Sequence, residues 1–258
     1  MTAMTGRTVV ATANVLRSLG RRPAREALGL VLAHRPDLVG LLEWGLSRSG
    51  LLRETGTVDV QLSGRLSLTR PAAGAATYRW ISSWGDCPVG VRAERYDVLE
   101  CRTRVLGWVG PADRRTRPLS VVPPRVATVA VLRDLERERL VSLVNFHLVP
   151  GVQARGSYRE DRPLLTARHR EEVRRLAELV EEELHRGCEV HAVGDSNYDG
   201  LRVPGLTSAW EGREGEPGTL GARRHVDDVH GPGPAAAVLL VATPSDHKAV
   251  VVERADRP

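Results

Sequence analysis

The sequence predicts an α/β protein in which short strands alternate with helices. The chain of 258 residues is 41% apolar and 27% charged, as expected for a folded chain with a substantial core. Runs rich in valine and leucine recur along the chain, and segments with apolar residues at helical spacing lie between them. Because no long linker interrupts this pattern, we expect one domain over residues 1–258.

The N-terminal part predicts a strand, a helix and a second strand. Residues 8–13 form a short β-rich run that stops at Asn14. A helix is predicted over residues 23–34, because proline suits the first helical turn and apolar residues recur on one side. The next proline ends this helix, since the residue before proline disfavours the helical region. A buried strand is predicted over residues 37–44, with Glu43 close to its end.

The central part gives weaker signals. Strand-like pieces lie at residues 58–62 and 65–68, and the arginine- and proline-rich stretch 111–124 is predicted as a surface loop. Two β runs follow at residues 126–132 and 140–146. The short charged segment between these two runs predicts a hairpin.

The C-terminal part resumes the alternation after residues 148–165, which are predicted as a long polar loop. The clearest helix is predicted over residues 166–186, where apolar residues recur at helical spacing and a glycine supplies the stop. The remaining predicted strands are residues 189–193, 235–242 and 249–253.

Composition narrows the class of protein. No run approaches the ~20 apolar residues of a membrane-spanning helix, and the N-terminus lacks the pattern of a secretory signal. The 3 cysteines form no CxxC pair, which argues against a disulfide framework or a cysteine zinc site. We therefore expect a cytoplasmic, monomeric protein without a membrane partner.

The charge balance leaves the partner open. A net charge of +5 favours a polyanion such as nucleic acid. Nearly every basic residue is an arginine, however, and a GC-rich coding sequence produces the same bias. Charge alone therefore does not decide between nucleic acid and another partner.

Polar residues at the ends of predicted strands are the most informative feature. An apolar strand that delivers a carboxylate, amide or imidazole to its end is how α/β enzymes build their sites. A single strand-end Asn or Asp is more commonly a turn former, so the set counts for more than any member. The set consists of Asn14, Glu43, His147, Asp195, Asn197, Asp246 and His247.

In this order the segments around these residues resemble the endonuclease/exonuclease/phosphatase superfamily, whose fold pancreatic deoxyribonuclease, abasic-site endonucleases and neutral sphingomyelinases share. The resemblance runs from residue 8 to about residue 253. It implies a four-layer α/β/β/α sandwich of two mostly antiparallel mixed sheets flanked by helices. It also implies divalent-metal-dependent hydrolysis of phosphoesters. The matching segments are TANVL, LVGLLEW, NFHL, GDSN, HVDDV and PSDHKAVV.

The resemblance implies a metal site and a water site. Glu43 would be the leading ligand of Mg²⁺ or Mn²⁺, with Asn14 and Asp246 close to the same ion. Hard divalent ions prefer such oxygen ligands. Asp195 and Asn197 would orient the attacking water.

The resemblance also implies roles for two histidines. His247 would take a proton from the water or stabilise the phosphoryl oxygens, while Asp227 fixes its tautomer. Asp228 is the alternative to Asp227. His147 would hydrogen-bond the phosphate or assist the leaving group.

Five further residues have two interpretations each. Arg125 either reaches the phosphate or is solvated at the surface. Tyr198 and Trp210 either line the cleft or pack in the core. His225 and His230 bracket the aspartate pair, and they form either a transition-metal site or a polar turn.

Three functions remain open at this point. We favour a nuclease that cleaves DNA or RNA, because every expected position carries a reactive group and the chain is basic. The alternatives are a hydrolase of small or lipid phosphoesters and a binding module that retains the fold. The chain lacks the WCxR signature of inositol polyphosphate phosphatases and any evident membrane-insertion hairpin, which argues against the lipid branch.

Overall fold

Two large β-sheets form the centre of the fold, and a helix packs on the outer face of each. The computed structural model describes residues 6–62, 65–67, 77–82, 85–113, 121–213 and 215–255. Leu68 of a predicted strand and residues 114–120 of the predicted surface loop lie outside the described residues. Within the described residues, no helix is long and apolar enough to cross a membrane.

The N-terminal half contains β1 (Arg7–Asn14), α1 (Arg21–Leu32), β2 (Leu38–Leu42), a 3₁₀ turn (Leu46–Arg48), α2 (Ser49–Leu52), β3 (Gly56–Leu62), β4 (Arg65–Ser67), β5 (Tyr78–Ser82), β6 (Val89–Arg92), β7 (Tyr96–Gly107), β8 (Gly110–Pro111) and β9 (Val121–Val122). The C-terminal half contains β10 (Arg125–Asp134), β11 (Arg139–His147), β12 (Gln153–Ala154), β13 (Ser157–Tyr158), α3 (Pro163–His185), β14 (Glu189–Asp195), β15 (Asp227–His230), β16 (Ala237–Val241) and β17 (Ala249–Ala255).

The two sheets are mixed and mostly antiparallel. The first has the strand order β16-β17-β1-β2-β6-β5-β3-β4, and the second has the order β15-β14-β11-β10-β7. Three neighbouring pairs are parallel, namely β1 with β2, β3 with β5, and β11 with β14. This arrangement, with α1 and α3 outside the sheets, confirms the predicted fold class.

Alternation along the strands creates three apolar layers. Val9 and Ala11 of β1 face α1, whereas Val10 between them faces the second sheet. The outer face of the second sheet packs against the buried stripe of α3, which includes Leu176 and Val180. Each sheet is therefore covered on both sides, and polar side chains concentrate at the strand ends.

Most predicted elements are present with shifted ends. The predicted hairpin is the antiparallel pair β10–β11, and the two predicted helices are α1 and α3. The loop prediction for residues 148–165 is wrong in two places, since β12 and β13 pair there and α3 already begins at Pro163. Proline fits this first position because its missing N–H has no helical partner there.

The two sheets approach each other closely beside β2, at Gly40. A Cβ atom there would lie 2.4 Å from Val193 Cγ2 and 2.6 Å from Asn145 Oδ1 of the second sheet. Asn145 also donates hydrogen bonds from Nδ2 to the carbonyls of Leu41 (2.8 Å) and Pro88 (2.9 Å) in the first sheet. The missing side chain of Gly40 therefore lets the strand ends of both sheets meet.

Gly40→Ala is expected to lower the free energy of unfolding by about 1–3 kcal/mol, because the added methyl group overpacks this contact. Urea denaturation measures the change. Gly29→Ala is the matched control, since nothing lies within 4 Å of its added Cβ and alanine favours a helix. Equal stability of the two variants would contradict this account of the sheet contact.

Candidate active site

Three reactive residues form a row across the second sheet. His147, the last residue of β11, pairs with Asp195 at the end of β14. Asp195 in turn pairs with Asp227 at the start of β15. Because these residues are in register, their side chains lie at one end of the sheet.

The first sheet brings its own polar residues to the same end. Asn14 is the last residue of β1, and Glu43 directly follows β2. Glu43 has a positive φ of 56°, which is uncommon for a residue with a side chain and marks a local backbone constraint. His247 lies in the turn before β17, beside the row of the second sheet.

Asp195 is the common partner of Asn14, His147 and His247 and is only 1% exposed. Its Oδ2 accepts a hydrogen bond from Asn14 Nδ2 at 3.1 Å. The same oxygen lies 3.8 Å from His147 Nε2 and 3.9 Å from His247 Nδ1. Its Oδ1 accepts the backbone N–H of Asn197 at 2.7 Å.

His247 is paired with Asp227 rather than with Asp228. His247 Nδ1 lies 2.7 Å from Asp227 Oδ2, so an N–H at Nδ1 donates to the carboxylate and Nε2 stays free. Asp228 is occupied elsewhere, since it accepts hydrogen bonds from the Ser208 hydroxyl (2.6 Å) and the Ala209 backbone N–H (3.1 Å).

The oxygens beside Glu43 fit a divalent cation. Glu43 Oε1 lies 3.4 Å from Asn14 Nδ2, and Glu43 Oε2 accepts the Arg17 backbone N–H at 2.8 Å. Asn14 Oδ1 is buried and has no hydrogen-bond partner. A buried oxygen without a partner is costly unless a ligand satisfies it. Carboxylate and amide oxygens are the ligands that hard divalent ions prefer.

Two of the predicted residues are placed differently from the rest. Asp246 is exposed, and its carboxylate accepts a hydrogen bond from the Ser245 hydroxyl at 3.3 Å. Asn197 donates from Nδ2 to the Leu148 carbonyl at 3.0 Å and has a φ of 53°. Its side chain therefore ties the turn after β14 to the end of β11.

Two further charged groups, Arg125 and Asp86, line a small cleft beside the row. Arg125 Nη1 lies 3.2 Å from His147 Nδ1, and Asp86 Oδ2 lies 4.0 Å from the same nitrogen. Arg125 lines a cavity of about 300 Å³ together with Glu43, Arg17 and His147, so it faces the site. Asp86 was not predicted, because it lies in a turn between β5 and β6 that carries no recognisable pattern.

Contacts with α3 support the turn formed by GDSN (residues 194–197). His169 Nε2 donates to the Ser196 carbonyl at 2.8 Å, and the Tyr158 hydroxyl donates to His169 Nδ1 at 3.0 Å. The ring of Tyr198 packs on Tyr158 with centroids 4.4 Å apart. Tyr198 therefore belongs to the supporting layer. Sequence reasoning missed His169, since one histidine in a helical pattern gives no functional signal.

The histidines that bracket the aspartate pair are held by carbonyls. His225 Nε2 donates to the Pro217 carbonyl at 3.1 Å, and His230 Nε2 lies 3.2 Å from the Leu201 carbonyl. Among the residues that the structure describes, neither belongs to a group of three metal-capable side chains; the group found is Asp195, Asp227 and His247, whose ligand atoms lie within 4.8 Å of one another.

Burial and charge shift the protonation of the central groups. Burial and the neighbouring charge of Asp227 raise the pKa of Asp195 to about 7. Burial alone would lower the pKa of His247, but the hydrogen bond and charge of Asp227 outweigh it and raise the pKa to about 9. Burial, and then the charges of Arg125 and His247, lower the pKa of His147 well below its usual value. The centre therefore concentrates negative charge that has little access to water.

Comparisons with known proteins agree with this architecture. No protein-family profile matches the chain, and no curated protein sequence matches it at a significant level. An endonuclease/exonuclease/phosphatase family protein from Bacteroides thetaiotaomicron matches with a TM-score of 0.65 and 16% identity, covering 96% of this chain and 97% of that one. D. rerio TDP2 complexed with single-strand DNA product matches with a TM-score of 0.60 and 15% identity, over 96% and 98% of the two chains. A mannosyl-6-phosphatase from Bacteroides thetaiotaomicron VPI-5482 matches with a TM-score of 0.63 and 16% identity, over 95% and 98%.

The chain therefore has the fold of the endonuclease/exonuclease/phosphatase superfamily. At the level of the fold, this confirms the resemblance that the motifs indicated. Because these neighbours differ in what they act on, the activity depends on the residues of the site and not on the fold.

Asp195→Asn is expected to stabilise the metal-free protein at pH 8 by about 1–2 kcal/mol. The pKa of Asp195 is raised above its value in the unfolded chain, so ionisation destabilises the fold as the pH rises from about 4 to about 7. Asparagine removes this penalty. Thermal unfolding in chelator at pH 8 and pH 4 measures the effect.

The gain from Asp195→Asn should be present at pH 8 and absent at pH 4. Asp199→Asn, at a carboxylate that is 38% exposed, is the matched control and should change little at either pH. A loss of stability at pH 8 in Asp195→Asn would contradict the repulsion inferred for the centre.

Proposed function

We propose that the protein is a divalent-metal-dependent phosphodiesterase that cleaves DNA or RNA. One observation carries the proposal: reactive side chains from both sheets converge on the buried carboxylate of Asp195. Phosphodiester cleavage needs neutralised phosphate oxygens, an oriented water and help for the departing oxygen. The site offers a group for each of these tasks.

Glu43 and Asn14 are the proposed ligands of the cation, with Asp246 as the third. Mg²⁺ is the proposed ion and Mn²⁺ the substitute, because both accept oxygen ligands and retain waters. When bound, such an ion neutralises charge on the phosphate oxygens and activates water. The cluster of Asp195, Asp227 and His247 is a weaker candidate for the ion, since the hydrogen bond between Asp227 and His247 already occupies one ligand atom of each.

The other residues have proposed roles in positioning and proton transfer. Asp195 and Asn197 orient the attacking water, and the backbone N–H of Asn197 fixes the Asp195 carboxylate. His247 presents Nε2 to the reacting group, because Nδ1 donates to Asp227. At that atom the neutral imidazole takes a proton from the water, or the imidazolium that the raised pKa favours donates a hydrogen bond to a phosphoryl oxygen. His147, with Arg125 against its ring, contacts the phosphate and the leaving oxygen.

Nucleic acid is the proposed substrate. Arg17 and Arg125 line the small cleft next to Glu43, and the chain carries a net charge of +5. The structural neighbour TDP2 was solved with a single-strand DNA product. A small phosphoester is the alternative, because a cavity of about 300 Å³ accommodates one and another neighbour is a mannosyl-6-phosphatase.

We also infer a cytoplasmic location. Cys87, Cys101 and Cys188 are all free and buried, and burial raises the pKa of each thiol. Three unpaired thiols in one chain are typical of a reducing compartment.

The test of the function is cleavage of a labelled single-stranded oligonucleotide by purified protein with Mg²⁺, Mn²⁺ or EDTA. Cleavage is expected with either metal and is expected to disappear in EDTA. His247→Gln should lower kcat by about a hundredfold or more, because glutamine cannot exchange the proton. His34→Gln, at an exposed histidine after α1, is the matched control and should retain wild-type cleavage.

DNA and RNA oligonucleotides and mannose 6-phosphate, tested under the same three conditions, separate the alternatives. Hydrolysis of mannose 6-phosphate without cleavage of DNA or RNA would replace the nuclease proposal by the phosphatase. Full activity in EDTA, or no hydrolysis of any phosphoester with metal, would contradict metal-dependent hydrolysis altogether.

A further inference from the structure

A cavity of about 820 Å³ lies beside the candidate active site, separated from it by the start of β15. Its size is within the range of pockets that bind small molecules or parts of larger ones. Successive residues of β15 point to opposite faces of the strand, so Asp227 faces His247 while Asp228 faces the cavity. The cavity and the active site therefore share one strand as a common wall.

The pairing of the preceding segment with β15 places the ring of Trp210 in this shared wall. The segment before the cavity runs along the outer edge of β15, where the Ala209 N–H donates to the Val229 carbonyl at 3.1 Å. This pairing carries Trp210 to the start of β15, and its Nε1 donates to the Asp227 carbonyl at 3.0 Å. On the opposite wall, Asp199 belongs to the turn that continues from GDSN.

Two planar rings supply the chemistry of the cavity. Trp210 and His225 both line it, with centroids 4.3 Å apart and planes inclined by 37°. His225 is fixed by its hydrogen bond to the Pro217 carbonyl. Paired aromatic rings at the edge of a cavity favour stacking with a flat heterocycle.

The charged groups around the rings suit a ligand with N–H donors and a phosphate better than a bare cation. Asp228, the innermost carboxylate, already accepts hydrogen bonds from Ser208 and Ala209. At the rim, Asp199 is 38% exposed and can accept hydrogen bonds from ring or amino N–H groups. Arg223 is exposed and lacks an ion pair or hydrogen bond within the described part of the chain, so its guanidinium is free for a phosphate.

We infer that this cavity binds a nucleobase of the substrate strand next to the cleaved phosphate. The base stacks on the outer face of the Trp210–His225 pair, Asp199 accepts hydrogen bonds from its edge, and Arg223 contacts the adjoining phosphate. The inference rests on the proposed nuclease function and narrows its substrate to single-stranded nucleic acid, because a paired base is not free to enter the cavity.

The test measures binding in chelator, where the proposed activity is off. Fluorescence anisotropy follows a labelled single-stranded DNA 12-mer in which an abasic tetrahydrofuran residue replaces each nucleotide in turn. At one position or two adjacent ones, loss of the base should weaken binding by about five- to a hundredfold, the range expected for one stacked base. Loss of the base at the remaining positions should have little effect.

Trp210→Leu should abolish this dependence on position. Ala222→Leu is a second variant that fills the cavity from an exposed residue, so the test does not depend on the stability of Trp210→Leu. Trp108→Leu is the matched control, because Trp108 is 66% exposed and lines neither this cavity nor the small cleft. It should keep the wild-type pattern.

Two results would overturn the inference: equal binding of all the 12-mers by the wild type, or an unchanged pattern in both Trp210→Leu and Ala222→Leu. Cleavage with Mg²⁺ combined with either result would leave the nuclease function standing without the base site. Position-dependent binding without cleavage would instead support the base site and count against the nuclease function.

Discussion

The register of β11, β14 and β15 is the constraint on which the site depends. It places His147, Asp195 and Asp227 side by side at one end of the second sheet. A slip of one residue in β14 would turn Asp195 to the opposite face of the sheet and separate it from its partners. The close approach of the sheets at Gly40 then brings Asn14 of the first sheet within hydrogen-bonding distance of Asp195.

This arrangement is electrostatically expensive without a cation. Asp195 and Asp227 are both buried, and the His247 imidazole, which lies against both carboxylates, offsets only part of their cost, because the pKa of Asp195 is still raised to about 7. Glu43 and Asn197 add uncommon backbone conformations, which persist because their neighbours hold them in place. Costs of this kind concentrate where a ligand or a reaction offsets them, so the site is the part of the molecule where function best explains structure.

The sequence predicts the parts of this fold that depend on local pattern. Regular apolar spacing predicts α1 and α3, and two β runs with a short polar link predict the β10–β11 hairpin. The pattern fails for β7, an edge strand with many charged residues, and for the short hairpin β12–β13. Strand ends identified Asn14, His147 and Asp195 as a group, and the structure brings them together.

What the sequence could not predict depends on contacts between distant segments. The resemblance favours Asp227 over Asp228, but the physical reason is the face of β15 that looks toward His247; the exposure of Asp246 is set by its turn. Asp86 and His169 contact the site from segments far away along the chain, and a single polar residue in a turn or helix carries no signal of that contact.

Binding of Mn²⁺, followed by electron paramagnetic resonance in the absence of substrate, tests most directly whether the strand ends form a cation site. The wild type should bind Mn²⁺, and Glu43→Gln should weaken that binding by about tenfold or more, since it removes a charged ligand oxygen. Glu54→Gln, at a partly exposed glutamate paired with Arg25, should bind as the wild type does. Unchanged Mn²⁺ binding in Glu43→Gln, or none in the wild type, would contradict the account.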